Sequence, residues 1–419
     1  MTQSYDVIIL GAGACGLFTA INIAEGAPHK RILILEKGKE ALGKVRISGG
    51  GRCNLTNGET NLREFVKNYP RGNRELLSAF SRFSNKDTMK WFETHQVALK
   101  EEADGRIFPV SNSSQTIIDC FLSLAKKYNI EILYKQNVHA FSYEKEEWKV
   151  QATEVFHSRN LVVATGSNPK VWQLLSQLGH TIVPPVPSLF TFATEDSFIE
   201  GLAGVSKEVN AKLLATDHSP LKIPLLEKQG LVGALLVTHW GFSGPVILRL
   251  SAFAARILAQ LDYKFSLQIN WLAEGEESLN AEETLAILQE EKQKHPRKEL
   301  QNHCPFNLTK KLWNKLLERS GVLPHQLWAE LNKGQLHTLT QTLTASTFLI
   351  HDKAPFKEEF VTAGGVSLKE IDFKNFRSKL FPTLYIGGEA LDIDAITGGY
   401  NFQNAWSSGY LIAEGVISE

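Results

Sequence analysis

The stretch Tyr5-Asp-Val-Ile-Ile-Leu-Gly-Ala-Gly-Ala-Cys-Gly16, followed by Arg31-Ile-Leu-Ile-Leu-Glu36, constrains this chain more than any other feature. Val7 to Leu10 form a short, continuous apolar run, the pattern of a strand buried on both faces of a parallel sheet. Gly11 permits the tight turn out of that strand. Gly13 lets a pyrophosphate approach the backbone, and Gly16 lets the next helix pack close against the sheet. The helix runs on through Leu17, Ala20, Ile21 and Ala24, and its free N–H groups present positive charge to the phosphates. Glu36 lies twenty residues after Gly16. An acid there accepts hydrogen bonds from a ribose 2′-OH and repels a 2′-phosphate. A lone GxGxxG carries little weight; strand, turn, helix and acid in this order specify a dinucleotide site.

At 419 residues the chain is too long for one core and predicts two or three domains. Lys+Arg and Asp+Glu are both 45, so no net field draws in nucleic acid or an anionic membrane. Neither is expected as a partner. The N-terminus enters a strand without a basic segment and apolar core, so no signal peptide is expected. No run of about 18 apolar residues predicts a membrane span. Cys15, Cys53, Cys120 and Cys304 form no C-x-x-C pair, which excludes a zinc ribbon and a dithiol redox centre. They read as reduced thiols of a cytoplasmic protein.

Beyond the first βαβ unit, residues 43–57 are too rich in glycine to predict helix or strand. Apolar spacing predicts helices over 74–97 and 114–128. Strand-like runs follow at 131–134, 148–152 and 160–164. Pro184, Pro185 and Pro187 suit an extended linker rather than a helix or central strand. Lys264 to Trp271 alternates as a strand, and 278–333 reads as helical, with Asn280 and Glu283 as a capping box. His337 to Ile350 returns to strand chemistry. The expected organisation is a nucleotide-binding domain of 1–187 plus 351–419. A β-rich, substrate-side domain of 188–275 plus 336–350 interrupts it and carries a helical subdomain of 276–335.

The first motif alone serves NAD or FAD equally. Leu161-Val-Val-Ala-Thr-Gly166 is a buried strand ending in a small-residue turn. Leu384-Tyr-Ile-Gly-Gly-Glu389 is another, ending in an acid suited to a polyol. Thr397-Gly-Gly-Tyr-Asn-Phe-Gln403 opens a second helix and so offers a second set of N–H donors. Two helix starts from opposite ends of the chain suit a long ligand with an anionic group at each end, such as FAD. The second would favour negative charge on the reduced flavin.

The chain resembles the aminoacetone-oxidase-like, BaiN/RdsA-type family of bacterial FAD-binding flavoproteins. The resemblance rests on Ile47-Ser-Gly-Gly-Gly-Arg-Cys-Asn-Leu-Thr-Asn57, Gly105-Arg-Ile-Phe-Pro-Val110, Thr238-His-Trp-Gly-Phe-Ser-Gly-Pro245, Val361-Thr-Ala-Gly-Gly-Val366, Gly388-Glu-Ala-Leu-Asp392 and Thr397 to Gln403. It covers the chain end to end. It implies an α/β fold (α+β overall): a Rossmann-like FAD-binding domain of the glutathione-reductase class, an inserted β-barrel-like domain and a small helical subdomain. Two places depart from the pattern. Ala395 replaces a common glycine before the second turn, and Asn375-Phe-Arg377 replaces a more polar run.

By the same resemblance, the FAD contacts are Ala14, Glu36, Lys37, Arg52, Cys53, Asn54, Val138 (through its backbone), Thr165, Gly166, Glu389, Asp392, Asn401, Phe402 and Gln403. The cofactor-binding set also takes in Gly11, Gly13, Cys15, Gly16, Gly43, Lys44, Gly51, Gly388 and Gly399. For Arg52 a surface ion pair, and for Asn401 a helix cap, are the competing structural readings. Noncovalent binding is expected, Cys53 included.

Flavin carries the electron transfer, so the protein need supply binding, orientation and one proton-handling group. His239 is the candidate, because the glycine and Ser-Gly-Pro after it imply a loop at a helix start. A structural hydrogen bond within that turn is the competing reading; His351 and Tyr400 are weaker candidates. No metal motif is visible. The expected function is an FAD-dependent oxidoreductase passing electrons between a small-molecule substrate and oxygen or another acceptor. The alternatives are an NAD(P)H-dependent reductase with transient nicotinamide docking, and a non-redox or RNA-modification role. The substrate is expected to lie between the two domains, against the flavin. The sequence leaves substrate and oligomeric state open.

Overall fold

A computed structural model describes residues 4–223, 226, 230–275, 277–354 and 361–419. The chain divides into two compact units, Met1–Val186 with Val361–Glu419, and Pro187–Phe360.

In the first unit, strand Ser4–Leu10 lies inside a sheet, nine-stranded among the described residues, whose main path runs Ile371–Asp372, Arg377–Ser378, Leu384–Ile386, Val155–Val163, Ser4–Leu10, Ile32–Leu35, Glu131–Leu133, with the hairpin Ala140–Glu144 and Glu147–Gln151 joined to Val155–Val163. From Leu384–Ile386 to Glu131–Leu133 the pairings are parallel, in a register that sets Ile9 opposite both Ile34 and Val162. Val7, Ile8 and Ile9 are wholly buried, as a strand covered on both faces requires. Helix Ala14–Gly26 follows the glycine turn and lies beside the C-terminal helix Tyr400–Ile417. There Phe18 meets Trp406 at 5.4 Å, and a Cβ on Gly409 would sit 3.0 Å from the Cys15 carbonyl. The two ends of the chain thus share one layer over the sheet.

Several elements differ from the sequence expectation. The stretch 74–97 holds two helices, Asn73–Phe80 and Asn85–Thr94, because Ser84 and Asp87 form a capping box that starts the second. The glycine-rich 43–57 is not wholly irregular. Gly43 to Ile47 make a helical turn, Ser48 is extended, Gly49 to Gly51 are left-handed, and Thr56–Asn57 pairs with Arg106–Pro109. The proline segment is extended, but as a strand, Ile182–Ser188, paired with Val361–Val366 in a two-stranded ribbon. Such a ribbon tolerates the missing N–H groups. Gly364, at φ +138°, allows the approach, since a Cβ there would lie 2.6 Å from the Pro185 Cα. His337 to Ala345 belongs to helix Lys333–Ala345, and only Ser346–Ile350 is strand. Leu336, Leu339, Thr340 and Leu343 keep helical spacing on its buried face.

The second unit is built on an antiparallel sheet. Its order is Ser346–Ile350, Phe265–Asn270, Ser206–Leu214, Leu231–Val237, Gly241–Ser243, Phe192–Ala193, Asp352–Lys353. The two edge strands are one stretch of chain interrupted at His351, so the sheet closes on itself as a small barrel. Helix Pro245–Gln260 packs on it, and helices Ala281–Lys294 and Lys310–Arg319 complete the unit around Trp271, Trp313 and Trp328.

Candidate functional site

Apart from His239 and His351, the candidate residues belong to the first unit. Gly11 leaves the central strand at φ +101°, and Gly13 caps helix Ala14–Gly26 without any side-chain hydrogen bond. A Cβ at Gly13 would meet nothing within 4 Å, so the space beside the helix start is open there. Gly16 has the opposite reason to be glycine: its Cβ would lie 2.0 Å from the Gly11 carbonyl oxygen. Glu36 sits at the end of the neighbouring strand. Its Oε2 accepts the Ala12 N–H at 2.7 Å and its Oε1 accepts the Gly38 N–H at 2.5 Å. The carboxylate is therefore tied to the glycine turn itself. Lys37 beside it is exposed, and Val138 is buried.

The end of strand Val155–Val163 delivers Thr165 and left-handed Gly166. The Thr165 hydroxyl is buried with no partner among the described residues. A Cβ on Gly166 would lie 3.4 Å from Glu389 Oε2 and 3.9 Å from Lys44 Nζ, and Lys44 and Glu389 form an ion pair. Thr362 N–H donates to the other Glu389 oxygen at 3.3 Å. Gly388 donates its N–H to Ser408 Oγ, and Cys15 Sγ lies 3.6 Å from the same hydroxyl. Burial pushes the Cys15 thiol up to about 11 and the Cys53 thiol to about 12, against weaker hydrogen bonds from Ser408 and Ser48 respectively. Both stay protonated near neutrality.

The second helix start is held from beneath. Gly399, at φ +90°, must be glycine, since a Cβ would lie 2.5 Å from the Thr56 carbonyl oxygen. With its amide turned to satisfy its neighbours, Asn54 accepts the Gly399 N–H at 3.0 Å. Asn401 makes two bonds to Ala395, accepting its N–H and donating to its carbonyl, both at 3.0 Å. Gln403 is fully buried. It accepts from Thr56 Oγ1 at 2.7 Å and donates to Thr88 and Ser407 hydroxyls at 2.9 Å. Its polar atoms are used inside the protein. Phe402 stacks on Trp406, and Asp392, buried, donates its N–H to the Val366 carbonyl. Arg52 lies 4.0 Å over the Phe108 ring and pairs with Glu102 at 2.6 Å. Gly43 and Gly51 face open space.

Sequence reading missed Ser408, Thr88 and the buried Arg71–Asp394 ion pair that anchors the loop before Asn401. Nothing local marks any of them. His239 is placed differently from the expectation. It lies in the exposed turn between strands Leu231–Val237 and Gly241–Ser243, and the next helix begins only at Pro245. It lines a cavity of about 600 Å³ with Glu195, Asp196 and Glu200. His351 N–H donates to the Ala193 carbonyl, and Tyr400 is buried with its carbonyl accepting from Tyr69.

These observations fit a dinucleotide. Two helix starts have no side-chain cap, three glycines (Gly13, Gly43, Gly51) open onto free space, and a buried threonine hydroxyl lacks a partner among the described residues. Cys15, at the second residue of the first helix, touches Ser408, eight residues or about 12 Å along the C-terminal helix from Tyr400. One extended ligand can serve both helix starts.

The fold and site define an FAD-dependent oxidoreductase built on a Rossmann-type nucleotide-binding unit. A family model described as the HI0933-like protein Rossmann domain matches residues 5–415, and the chain belongs to that family. It is 29% identical over 428 residues to a ribosomal RNA dihydrouridine synthase of Haemophilus influenzae, covering 99% of this chain and 98% of that one. It is 27% identical to a 3-dehydro-bile acid delta(4,6)-reductase of Clostridium scindens, over 96% of this chain and 97% of the relative. Among solved structures, a 3-ketosteroid-delta4-(5alpha)-dehydrogenase of Rhodococcus jostii RHA1 shares the fold, with TM-score 0.51, 12% identity, and coverage of 99% and 97%. Among the described residues, no helix is long and apolar enough to cross a membrane.

Proposed function

We propose that this oxidoreductase adds hydrogen across a carbon–carbon double bond conjugated to a carbonyl, with FAD as the electron carrier. The observation that carries the reading is the full-length similarity to two reductases of such bonds. Dihydrouridine is uridine with its ring double bond saturated, and a delta(4,6)-reductase of a 3-dehydro bile acid saturates bonds conjugated to the 3-ketone. When bound, FAD supplies hydride chemistry that no amino-acid side chain provides.

The chain's own residues have distinct tasks under this reading. The N–H groups of the first helix hold the pyrophosphate, and Glu36 receives the adenosine ribose. Thr165, Gly166 and the Lys44–Glu389 pair flank the polyol chain. The start of the C-terminal helix, fixed by Asn54 and Gln403, favours the electron-rich state of the cofactor through its positive end. Asn401 acts by fixing the Ala395 loop. His239 is proposed separately as a proton-handling group: His239→Gln should slow flavin turnover while FAD stays bound, and an unchanged rate and pH profile would return it to a structural role.

An anaerobic test separates the readings. The flavin is reduced with NADPH, NADH or dithionite and mixed with a conjugated ketosteroid in one arm and unmodified ribosomal RNA in the other. Reoxidation with two hydrogens gained by the alkene is the expected result, and the productive arm identifies the substrate class. Bleaching of oxidised flavin by an amine, with reoxidation by oxygen alone, would overturn the proposal in favour of an oxidase. The balance of 45 basic and 45 acidic residues gives RNA no bulk electrostatic attraction, so an RNA substrate would need a local basic surface.

A further inference from the structure

The helical part of the second unit carries a cluster that the redox chemistry does not use. Glu291 and His295 lie one turn apart at the end of helix Ala281–Lys294. The His295 N–H donates to the Glu291 carbonyl at 2.8 Å, so both side chains share one face. The chain then passes through Pro296 and a short turn, Leu300–Asn302, which brings His303 back against them. His303 Nε2 lies 2.6 Å from Glu291 Oε2, and His295 Nε2 lies 3.7 Å from the same oxygen. The imidazoles meet edge to face with centroids 4.4 Å apart. Three donor atoms, one per residue, all lie within 4.8 Å of one another.

We propose that Glu291, His295 and His303 bind a divalent transition-metal ion of the zinc type, with water completing the coordination. Two imidazole nitrogens and one carboxylate oxygen form a donor set suited to zinc, and three protein ligands leave one position open. With metal–ligand bonds of about 2.0–2.1 Å, neighbouring donors of a tetrahedron stand about 3.3 Å apart. The two separations from the Glu291 oxygen bracket that value, and the imidazole nitrogens, within 4.8 Å of each other, close to it by side-chain rotation as the ion seats.

The support beneath is stiff. Leu300, Trp313 and Trp328 are fully buried, the Trp313 indole donates to the Leu300 carbonyl at 2.7 Å, and the His303 ring stands edge-on to Trp328. One group competes. Lys298 Nζ lies 3.4 Å from His303 Nδ1, the nitrogen that must carry the proton when Nε2 binds a metal. Lys298 is exposed, and its side chain can turn into water. A bound ion would clip the helix end to the loop at His303, independently of the flavin chemistry.

The test is zinc chloride titrated into tag-free, FAD-loaded, full-length protein in a non-chelating buffer. One equivalent should bind with micromolar affinity and raise the thermal midpoint as free zinc rises. Glu291→Gln and His303→Asn should each weaken binding by about tenfold or more, as loss of one of three ligands implies, and Lys298→Met should tighten it. The flavin spectrum should not change in any variant, which separates this site from the redox reading. Cobalt in the wild-type protein should give the visible absorption of a tetrahedral or five-coordinate nitrogen–oxygen site, a readout that needs no variant. Substoichiometric zinc binding, affinity that both ligand variants leave unchanged, or featureless cobalt spectra would overturn the site and leave a hydrogen-bonded His–Glu pair.

Discussion

Glu36 spends both carboxylate oxygens on backbone N–H groups of the turns around it, Ala12 and Gly38. Each oxygen keeps a further lone pair for a ribose hydroxyl. Glu36→Ala should weaken FAD binding about ten- to a hundredfold, the worth of roughly 1.5–3 kcal/mol for hydrogen bonds to a charged group. Titration of FAD into apo-protein checks it; unchanged affinity in a folded variant would free Glu36 from the ribose. Gln403 gives the opposite expectation. Its amide is enclosed by Thr56, Thr88 and Ser407, so Gln403→Ala leaves buried hydroxyls unpaired and should cost about 1–3 kcal/mol in urea unfolding. FAD affinity should fall less than stability. The role of Glu36 is legible in sequence because its distance from Gly16 is local geometry. The enclosure of Gln403 is not, because its partners Thr56 and Thr88 lie more than three hundred residues away.

At the scale of elements, Gly16 decides whether the first helix can start where it does. Gly16→Ala sets a methyl group 2.0 Å from the Gly11 oxygen, against backbone that cannot yield. The variant should lose FAD and melt at a lower temperature, as flavin retention and a thermal melt would show. The far end of the same helix meets helix Asn85–Thr94 through Glu25 and His95, 2.8 Å apart. Burial works against both charges. For His95 the hydrogen bonds to Glu25 and the Trp91 carbonyl outweigh it and the nearby Lys127, raising its pKa above 6.5. For Glu25 the hydrogen bonds from His95 and Tyr128 and the nearby cations outweigh it, lowering its pKa below 4.5. The raised histidine contributes stability below its unfolded pKa, and loses it as pH rises through the folded one. The lowered glutamate contributes above its unfolded pKa, and loses it as pH falls through the folded one. The pair therefore stabilises the protein from about pH 4.5 to somewhat above 6.5. Unfolding free energies measured across this range should differ most between wild type and Glu25→Gln near pH 5.5–6.5, and the difference should shrink, without vanishing, as pH rises through the folded pKa of His95. A difference independent of pH would assign the contact to packing. Helix Lys333–Ala345 shows how a pattern misleads. Thr338, Thr340, Thr342 and Thr344 repeat every second residue, as in a strand, yet each hydroxyl bonds back to the carbonyl four residues earlier. Buried leucines set the helical period instead.

For the whole molecule, denaturation should release FAD intact and leave the precipitated chain colourless. The buried, protonated Cys53 and Cys15 thiols motivate this expectation. Colour that stays with the chain, or release of FMN alone, would contradict it. The sequence by itself determined the nucleotide-binding unit, because a strand, a glycine turn, a helix and an acid within thirty-six residues obey local rules of backbone conformation and burial. It also marked the start of the C-terminal helix and the capping box at Asn280 and Glu283, which are equally local. Tertiary structure alone decided which distant residues meet. Lys44 pairs with Glu389, Thr56 with Gln403, Cys15 with Ser408 and Arg71 with Asp394, each across more than three hundred residues. Such pairs follow from the order of strands in the sheet and from the two helices lying side by side. No window of sequence contains that information, because the partners become neighbours only once the sheet has formed.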